Sequence, residues 1–413
     1  MPGPLSDVLV IDLSRALAGP HAAMMLGDLG ARVIKVENPD GGDDSRGWGP
    51  PFVGPEAAPE ATYFLSCNRN KESITLDLKS DDGRRQLRRL LRQADVLVEN
   101  FRPGVLTRLG FAEDELTRLN PRLVVLSITG FGHDGPEGMR AGYDQIAQGE
   151  GGLMSITGPS PEEPIRVGVP IADLLAGMYG AYGVVAALHE RARTGRGRIV
   201  RTSLLAAIVG VHAYQGTRYT VAGEVAHAQG NHHPSICPYG LFHAADGIVQ
   251  ISVGSEGLWR RFAAAFDLPA DAEGYASNAD RVDNRDAVIA AVEAAFAQWP
   301  TDRLLPKLSE VGVPAGEVKT LDQVYEWDQT RSQGLVVDVE HASLGRIAIP
   351  GPAIRLDDNA YAGGQEANLA PPTLGQHTDA VLEWLDEVEA AEATADPDPF
   401  SAADPSRGAD PST

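Results

Sequence analysis

Val8-Leu9-Val10-Ile11-Asp12-Leu13 is an apolar run of strand length, and after a helical pattern from His21 to Leu29 it is answered by Arg32-Val33-Ile34-Lys35-Val36-Glu37. Similar runs follow at Ser73 to Leu78, Val96 to Glu99 and Leu123 to Ile128, with a helical pattern from Asp82 to Ala94 between two of them. Strands covered on both faces read as near-continuous apolar runs, and their alternation with helices is the βαβ rhythm of a parallel sheet. Such sheets take their ligands beyond the carboxyl ends of the strands. Two of the segments that fall there are Ser14-Arg15-Ala16-Leu17-Ala18-Gly19-Pro20 and Asn100-Phe101-Arg102-Pro103-Gly104.

At 413 residues the chain is too long for one ordinary core, and two domains are expected. The stretch from Ala222 to Tyr239 is rich in His, Gly and Pro and reads as a crossing between them. Beyond it come a strand at Gly247 to Val253 and helices at Glu256 to Phe266, Arg285 to Gln298 and Arg303 to Val311. The fold class is therefore α/β: a Rossmann-like parallel-sheet large domain over residues 1–225, completed by residues 330–385, and a smaller α+β domain over residues 226–329. A hairpin at Leu335 to Glu340 and Arg346 to Ile349, and a helix at Thr378 to Leu385, belong to the completing segment. Residues 386–413 are dominated by Glu, Ala, Asp, Pro and Ser, which cannot bury enough apolar surface to offset ordering entropy, and a disordered acidic tail is expected.

A net charge of −22 argues against nucleic acid or an anionic membrane as partner, while a small polyanion could still bind where basic residues gather. Cys67 and Cys237 lie far apart without a Cys-x-x-Cys pair, so neither a disulfide framework nor a thiolate zinc site is expected. The amino terminus shows no secretory pattern, and a cytoplasmic enzyme is expected. The longest apolar helix is punctuated by glycines, so no run is expected to supply the roughly eighteen apolar residues of a membrane span.

That helix follows Val167-Gly168-Val169-Pro170-Ile171-Ala172-Asp173-Leu174-Leu175 and carries no charge from Leu174 through Leu188. Asp173 has two readings. It is a helix cap, a role aspartate favours, or a carboxylate nucleophile placed at a helix start. Gly177, Gly180 and Gly183 forgo helix propensity at about 1 kcal/mol each, which points to close packing against the helix. Arg15, Lys79, Arg102 and Arg108 lie in or beside the loops at the strand ends and could hold phosphates. His227, His232 and His233 match no metal-ligand spacing and read as polar loop residues. No G-x-S-x-G, G-x-G-x-x-G or P-loop motif occurs, which weighs against a serine hydrolase and a standard nucleotide site.

Several segments in order, among them Gly30-Ala31-Arg32-Val33-Ile34-Lys35-Val36-Glu37, Asn70 to Lys79, Asn100 to Gly104, Gly168 to Gly177, Gly312-Val313-Pro314-Ala315-Gly316 and Leu374-Gly375-Gln376-His377-Thr378-Asp379, resemble the family III CoA-transferases. That group includes formyl-CoA transferase, carnitine CoA-transferases and α-methylacyl-CoA racemase. The resemblance implies that Asp173 is the catalytic nucleophile, passing through aspartyl anhydrides and an aspartyl-CoA thioester as CoA moves from an acyl-CoA donor to a carboxylic acid acceptor. It implies coenzyme contacts at Leu17, Ala18, Leu76, Lys79, Asn100, Phe101, Arg102 and Arg108, with Arg15, Tyr143 and Asp144 as substrate-site candidates. Coenzyme A is then a substrate, with no permanently bound cofactor and no metal. An interlocked homodimer is implied as well. The chain departs from the family at Asn38, where a basic residue is usual, and at Arg15-Ala16-Leu17, where formyl-CoA transferase reads His-Val-Gln. Tyr143 stands where the racemase branch has its histidine base, and the tetraglycine loop of formyl-CoA transferase is missing. The alternatives are a 2-methylacyl-CoA racemase or epimerase on the same scaffold, a non-catalytic acyl-CoA-binding protein in which Asp173 only caps, and a Rossmann-type oxidoreductase.

Overall fold

The computed structural model describes residues 3–356 and 367–394. The elements that position the site are, in chain order, β1 (Leu9–Asp12), α1 (Ala18–Asp28), β2 (Arg32–Glu37), β3 (Lys71–Thr75), α2 (Asp81–Gln93), β4 (Val96–Glu99), β5 (Val124–Thr129), α3 (Asp144–Glu150), α4 (Ile171–Thr194), β6 (Ile199–Ser203) and α5 (Leu204–Gly210). Later come β7 (Tyr239–His243), β8 (Ile248–Ser252), α6 (Glu256–Ala265), α7 (Arg285–Phe296), α8 (Thr301–Glu310), β9 (Ala315–Glu317), β10 (Val336–His341), β11 (Gly345–Pro350) and α9 (Thr378–Thr394). They fall into two compact units, one of Met1–Thr129, Gly177–Thr202 and Val337–Thr413, the other of Gly130–Ala176 and Ser203–Val336. These bounds differ from the domains expected at 1–225 with 330–385 and at 226–329: residues 130–176, 203–225 and 330–336 go with the second unit. Composition marks where chain character changes, whereas compactness depends on contacts between segments remote in sequence.

In the first unit the six strands stand in the order β3-β2-β1-β4-β5-β6. The registers of β1 with β2 and β4, β2 with β3, and β4 with β5 are all parallel. The order reverses between β1 and β4, the switch point where open parallel sheets place a ligand crevice. Ile11, Ile34, Ile74 and Leu97 of the sheet and Leu87, Leu90 and Leu91 of α2 form one buried cluster. Each such side chain contributes about 1.5–3 kcal/mol on burial. The Ser80 hydroxyl accepts from Gly83 N at 3.0 Å and starts α2. β3 begins at Lys71 rather than at Ser73, because the Lys71 ammonium is neutralised by Asp12 at 2.9 Å and a buried lysine can then occupy a strand. The strand ends at Thr75, short of the expected Leu78, and Leu76 to Lys79 form a loop beyond it.

α9 continues past Leu385 to Thr394, which corrects the expectation of a disordered tail from residue 386. Leu385 is buried, and Arg89 of α2 binds both Asp386 and Glu389, so acidic residues that composition assigns to solvent are paired. Residues 395–413 of the expected tail lie outside the described residues. A second correction concerns α4, whose most apolar window has a mean hydropathy of 1.5 and which is long and apolar enough to cross a membrane by length and composition. Glycines interrupt the run for the eye but are near neutral in hydropathy. They also let the helix pack closely: a Cβ on Gly177, Gly180 or Gly183 would lie 2.7 Å from Ala18 O, 2.9 Å from Leu126 Cδ2 and 2.6 Å from Val200 Cγ1 respectively.

The second unit holds the antiparallel sheet β9-β8-β7, with α6, α7 and α8 contributing Trp259, Phe262, Val288, Phe296 and Leu304 to its core. His232 packs edge-on against Phe242 at 5.4 Å, and His233 stacks on Tyr214 at 5.6 Å.

Candidate active site

Asp173 occupies the third position of α4, so it is not the residue at the helix boundary. The cap comes from elsewhere. Asp144, the first residue of α3, accepts from Ala172 N at 2.8 Å through Oδ1 and from Gln148 Nε2 at 2.7 Å through Oδ2. Gln148 in turn accepts from Val167 N at 2.9 Å, which ties the approach segment to α3. Ala172 N is served by Asp144, Ile171 N by Val169 O at 2.8 Å and Leu174 N by Pro170 O at 3.1 Å, and the Asp173 carboxyl receives no hydrogen bond among the described residues. Burial, with the neighbouring Asp144 charge, pushes its pKa up to about 7. A carboxylate that caps nothing, pairs with no cation and ionises near neutrality is basic, and hence more nucleophilic than an ordinary aspartate. Tyr143 is 68% exposed, and its phenol makes no hydrogen bond among the described residues.

In the first unit a cavity of about 500 Å³ opens at the carboxyl ends of the parallel strands. Leu13 and Arg15 follow β1; Val36, Glu37, Asn38, Pro39 and Asp40 end and follow β2; Leu76 to Lys79 follow β3; Phe101, Val105 and Leu109 follow β4. Of the residues singled out in the sequence, Arg15, Leu76, Lys79 and Phe101 line it. Leu17 and Ala18 are buried at the start of α1 and do not. Asn100 is turned to the Arg15 backbone, and Arg102 and Arg108 are exposed away from the lining. The β2 end was missed by sequence reading except for Asn38. Its signal was available, since every strand of a parallel sheet delivers its carboxyl end to the same edge.

The same unit holds buried charge. Lys35 pairs with Asp43 at 2.8 Å, and Lys71 with Asp12 at 2.9 Å. Burial, the largest single influence, would raise Glu37, but the hydrogen bonds from Arg46, the Lys35 and Arg46 charges and the Ser73 hydroxyl together outweigh it and hold that carboxyl below its ordinary value. Burial pushes the Cys67 thiol beneath the first loop up to about 11, so it stays protonated.

Strand order and cavity position mark the first unit as an open parallel α/β scaffold with a crevice at its switch point. The chain belongs to CoA-transferase family III, whose model matches residues 5–378. It is 39% identical to human succinyl-CoA:glutarate CoA-transferase, covering 92% of this chain and 85% of that one. It is 40% identical to the succinate–glutarate CoA-transferase of Agrobacterium fabrum, covering 94% and 96%. Among solved structures, a CaiB/BaiF family protein from Brucella suis matches with a TM-score of 0.82 at 39% identity, covering 94% of this chain and all of that one. The protein is accordingly a CoA-transferase, and CoA thioesters are its substrates.

Proposed function

We propose that this enzyme moves CoA from an acyl-CoA donor to a free carboxylic acid through covalent intermediates on Asp173. The Asp173 carboxylate attacks the donor thioester carbonyl and expels CoA thiolate, leaving a mixed anhydride. The thiolate attacks the aspartyl carbonyl, releasing the donor acid and forming an aspartyl-CoA thioester. The acceptor carboxylate displaces CoA thiolate to give a second anhydride. Attack of that thiolate on the acceptor acyl carbon then releases product and restores Asp173. Each step breaks one acyl bond as it makes another, which is ordinary covalent catalysis.

The observation that carries this reading is the Asp173 carboxyl, unpaired among the described residues, with its raised pKa. Names of the relatives support succinyl-CoA as donor and a small dicarboxylic acid such as glutarate as acceptor. A homodimer belongs to the same reading, supported by large apolar residues left open on the single chain, among them Tyr182 at 74% and Val221 at 83% exposure.

The test is turnover with succinyl-CoA and glutarate in the presence of hydroxylamine, followed by peptide mass spectrometry. An Asp173 hydroxamate is expected, and Asp173→Ala should lower turnover about 10⁴-fold or more while CoA still binds. Near-normal transfer by that variant removes the mechanism.

A further inference from the structure

Every backbone polar atom of Ser14, Arg15 and Ala16 is bonded to a side chain. Ser14 N donates to Asp12 Oδ1 at 3.0 Å, and Ser14 O accepts from Lys35 Nζ at 2.8 Å. Arg15 N donates to Asn100 Oδ1 at 2.8 Å, and Arg15 O accepts from Asn100 Nδ2 at 2.7 Å. Ala16 N donates to Asp43 Oδ1 at 3.1 Å, while the Cys67 thiol reaches Ala16 O at 3.7 Å. Ala16 is held at φ 67°, the left-handed region that a residue with a Cβ rarely occupies. A loop left to water has no reason to adopt that geometry, and here the buried Asp12, Lys35 and Asp43 and the half-buried Asn100 amide impose it.

What this frame presents is the Arg15 side chain. Arg15 is exposed, lines the 500 Å³ cavity and sets its guanidinium 5.9 Å from the centre of the Phe101 ring. Three consecutive residues build that wall. Glu99 accepts from Phe101 N at 3.0 Å, Asn100 grips Arg15 at both backbone atoms, and Phe101 underlies the guanidinium.

We propose that Asn100 is a positioning residue: its amide brackets the Arg15 backbone so that the guanidinium meets an anionic group of the coenzyme, and Asn100 acts on the coenzyme only through Arg15. This rests on the cavity being the coenzyme site. It differs from what the family resemblance implies, a direct contact of Asn100 with CoA, in that both hydrogen bonds of the Asn100 side chain among the described residues go to Arg15.

Calorimetric titration of free CoA into the full-length protein tests it with a double-mutant cycle. Arg15→Ala and Asn100→Ala should each weaken binding about tenfold, the worth of a charge-assisted contact or of a lost bidentate bracket. The double variant should bind no more weakly than Arg15→Ala alone. Losses that multiply to about a hundredfold overturn the proposal, since Asn100 then acts independently of Arg15. Where Asn100→Ala unfolds by circular dichroism, the isosteric Asn100→Asp, which keeps the acceptor for Arg15 N and lacks the donor for Arg15 O, takes its place in the cycle: losses that do not multiply support the proposal, and losses that multiply overturn it. Wild-type protein without affinity for CoA overturns the coenzyme-site reading and this proposal together, whereas multiplying losses overturn this proposal alone.

Discussion

Asp173 is a group whose ionisation and chemistry are one question. With its pKa near 7 the carboxylate proposed as nucleophile is half-formed at neutrality, so kcat/KM should rise about tenfold per pH unit below 7 and level off above it. A flat profile from pH 5 to 8 would contradict the raised pKa. Burial is the larger cause and the Asp144 charge the second, so Asp144→Asn should move the ascending limb to lower pH. That variant also turns an amide N–H toward Gln148 Nε2, which loosens the bracket on Val167, and some loss of the plateau rate should accompany the shift. The stability consequence has a definite sign. A carboxyl whose folded pKa lies above its ordinary 3.8 lends stability that is fully present below 3.8 and lost as pH rises through about 7. Asp173→Asn should therefore stabilise the protein at pH 8 by roughly 2–4 kcal/mol and leave it unchanged near pH 3. Urea unfolding at the two pH values measures this, and equal effects at both would refute it.

At the scale of single elements, α4 shows why glycine spacing is not the same as a glycine face. Steps of three residues advance about 300°, so Gly177, Gly180 and Gly183 turn successively across their neighbours. Gly177 meets the Ala18 backbone of α1, Gly180 a side chain of β5, and Gly183 a side chain of β6. A methyl at Gly177 presses on a carbonyl oxygen that cannot yield, so Gly177→Ala should cost about 2 kcal/mol despite its better helix propensity. At Gly180 the obstacle is the end of Leu126, a flexible side chain, and Gly180→Ala should stay within about 1 kcal/mol of wild type. Denaturant midpoints decide it, and a reversed ranking would show that the α1 contact is soft. The sequence made the close packing legible through the propensity that these glycines sacrifice. It could not show the partners, which lie at residues 18, 126 and 200. α2 and β2 were legible nearly to the residue, since amphipathic spacing and an unbroken apolar run are local signals. The amino end of β3 and the carboxyl end of α9 were not, because Lys71 and Asp386 are placed by partners at Asp12 and Arg89.

For the molecule as a whole, the proposed homodimer should sediment at twice the 43.8 kDa of the chain. If the two copies are threaded through each other, as the family resemblance implies, separation requires unfolding. Differently tagged preparations mixed under native conditions should then fail to exchange subunits, and should form mixed dimers only after denaturation and refolding. Rapid exchange would rule out threading. Read alone, the sequence determined the α/β class and most of the strands and helices, because periodicity and the β/α alternation are local properties of a chain, and it singled out Asp173 as the residue to test. Only the tertiary structure decided that Asp144 supplies the cap and leaves Asp173 free, that Asn100 spends its amide on Arg15, and that residues 130–176 join the second unit. Those outcomes depend on which atoms arrive from distant parts of the chain, and on how much water their arrival removes.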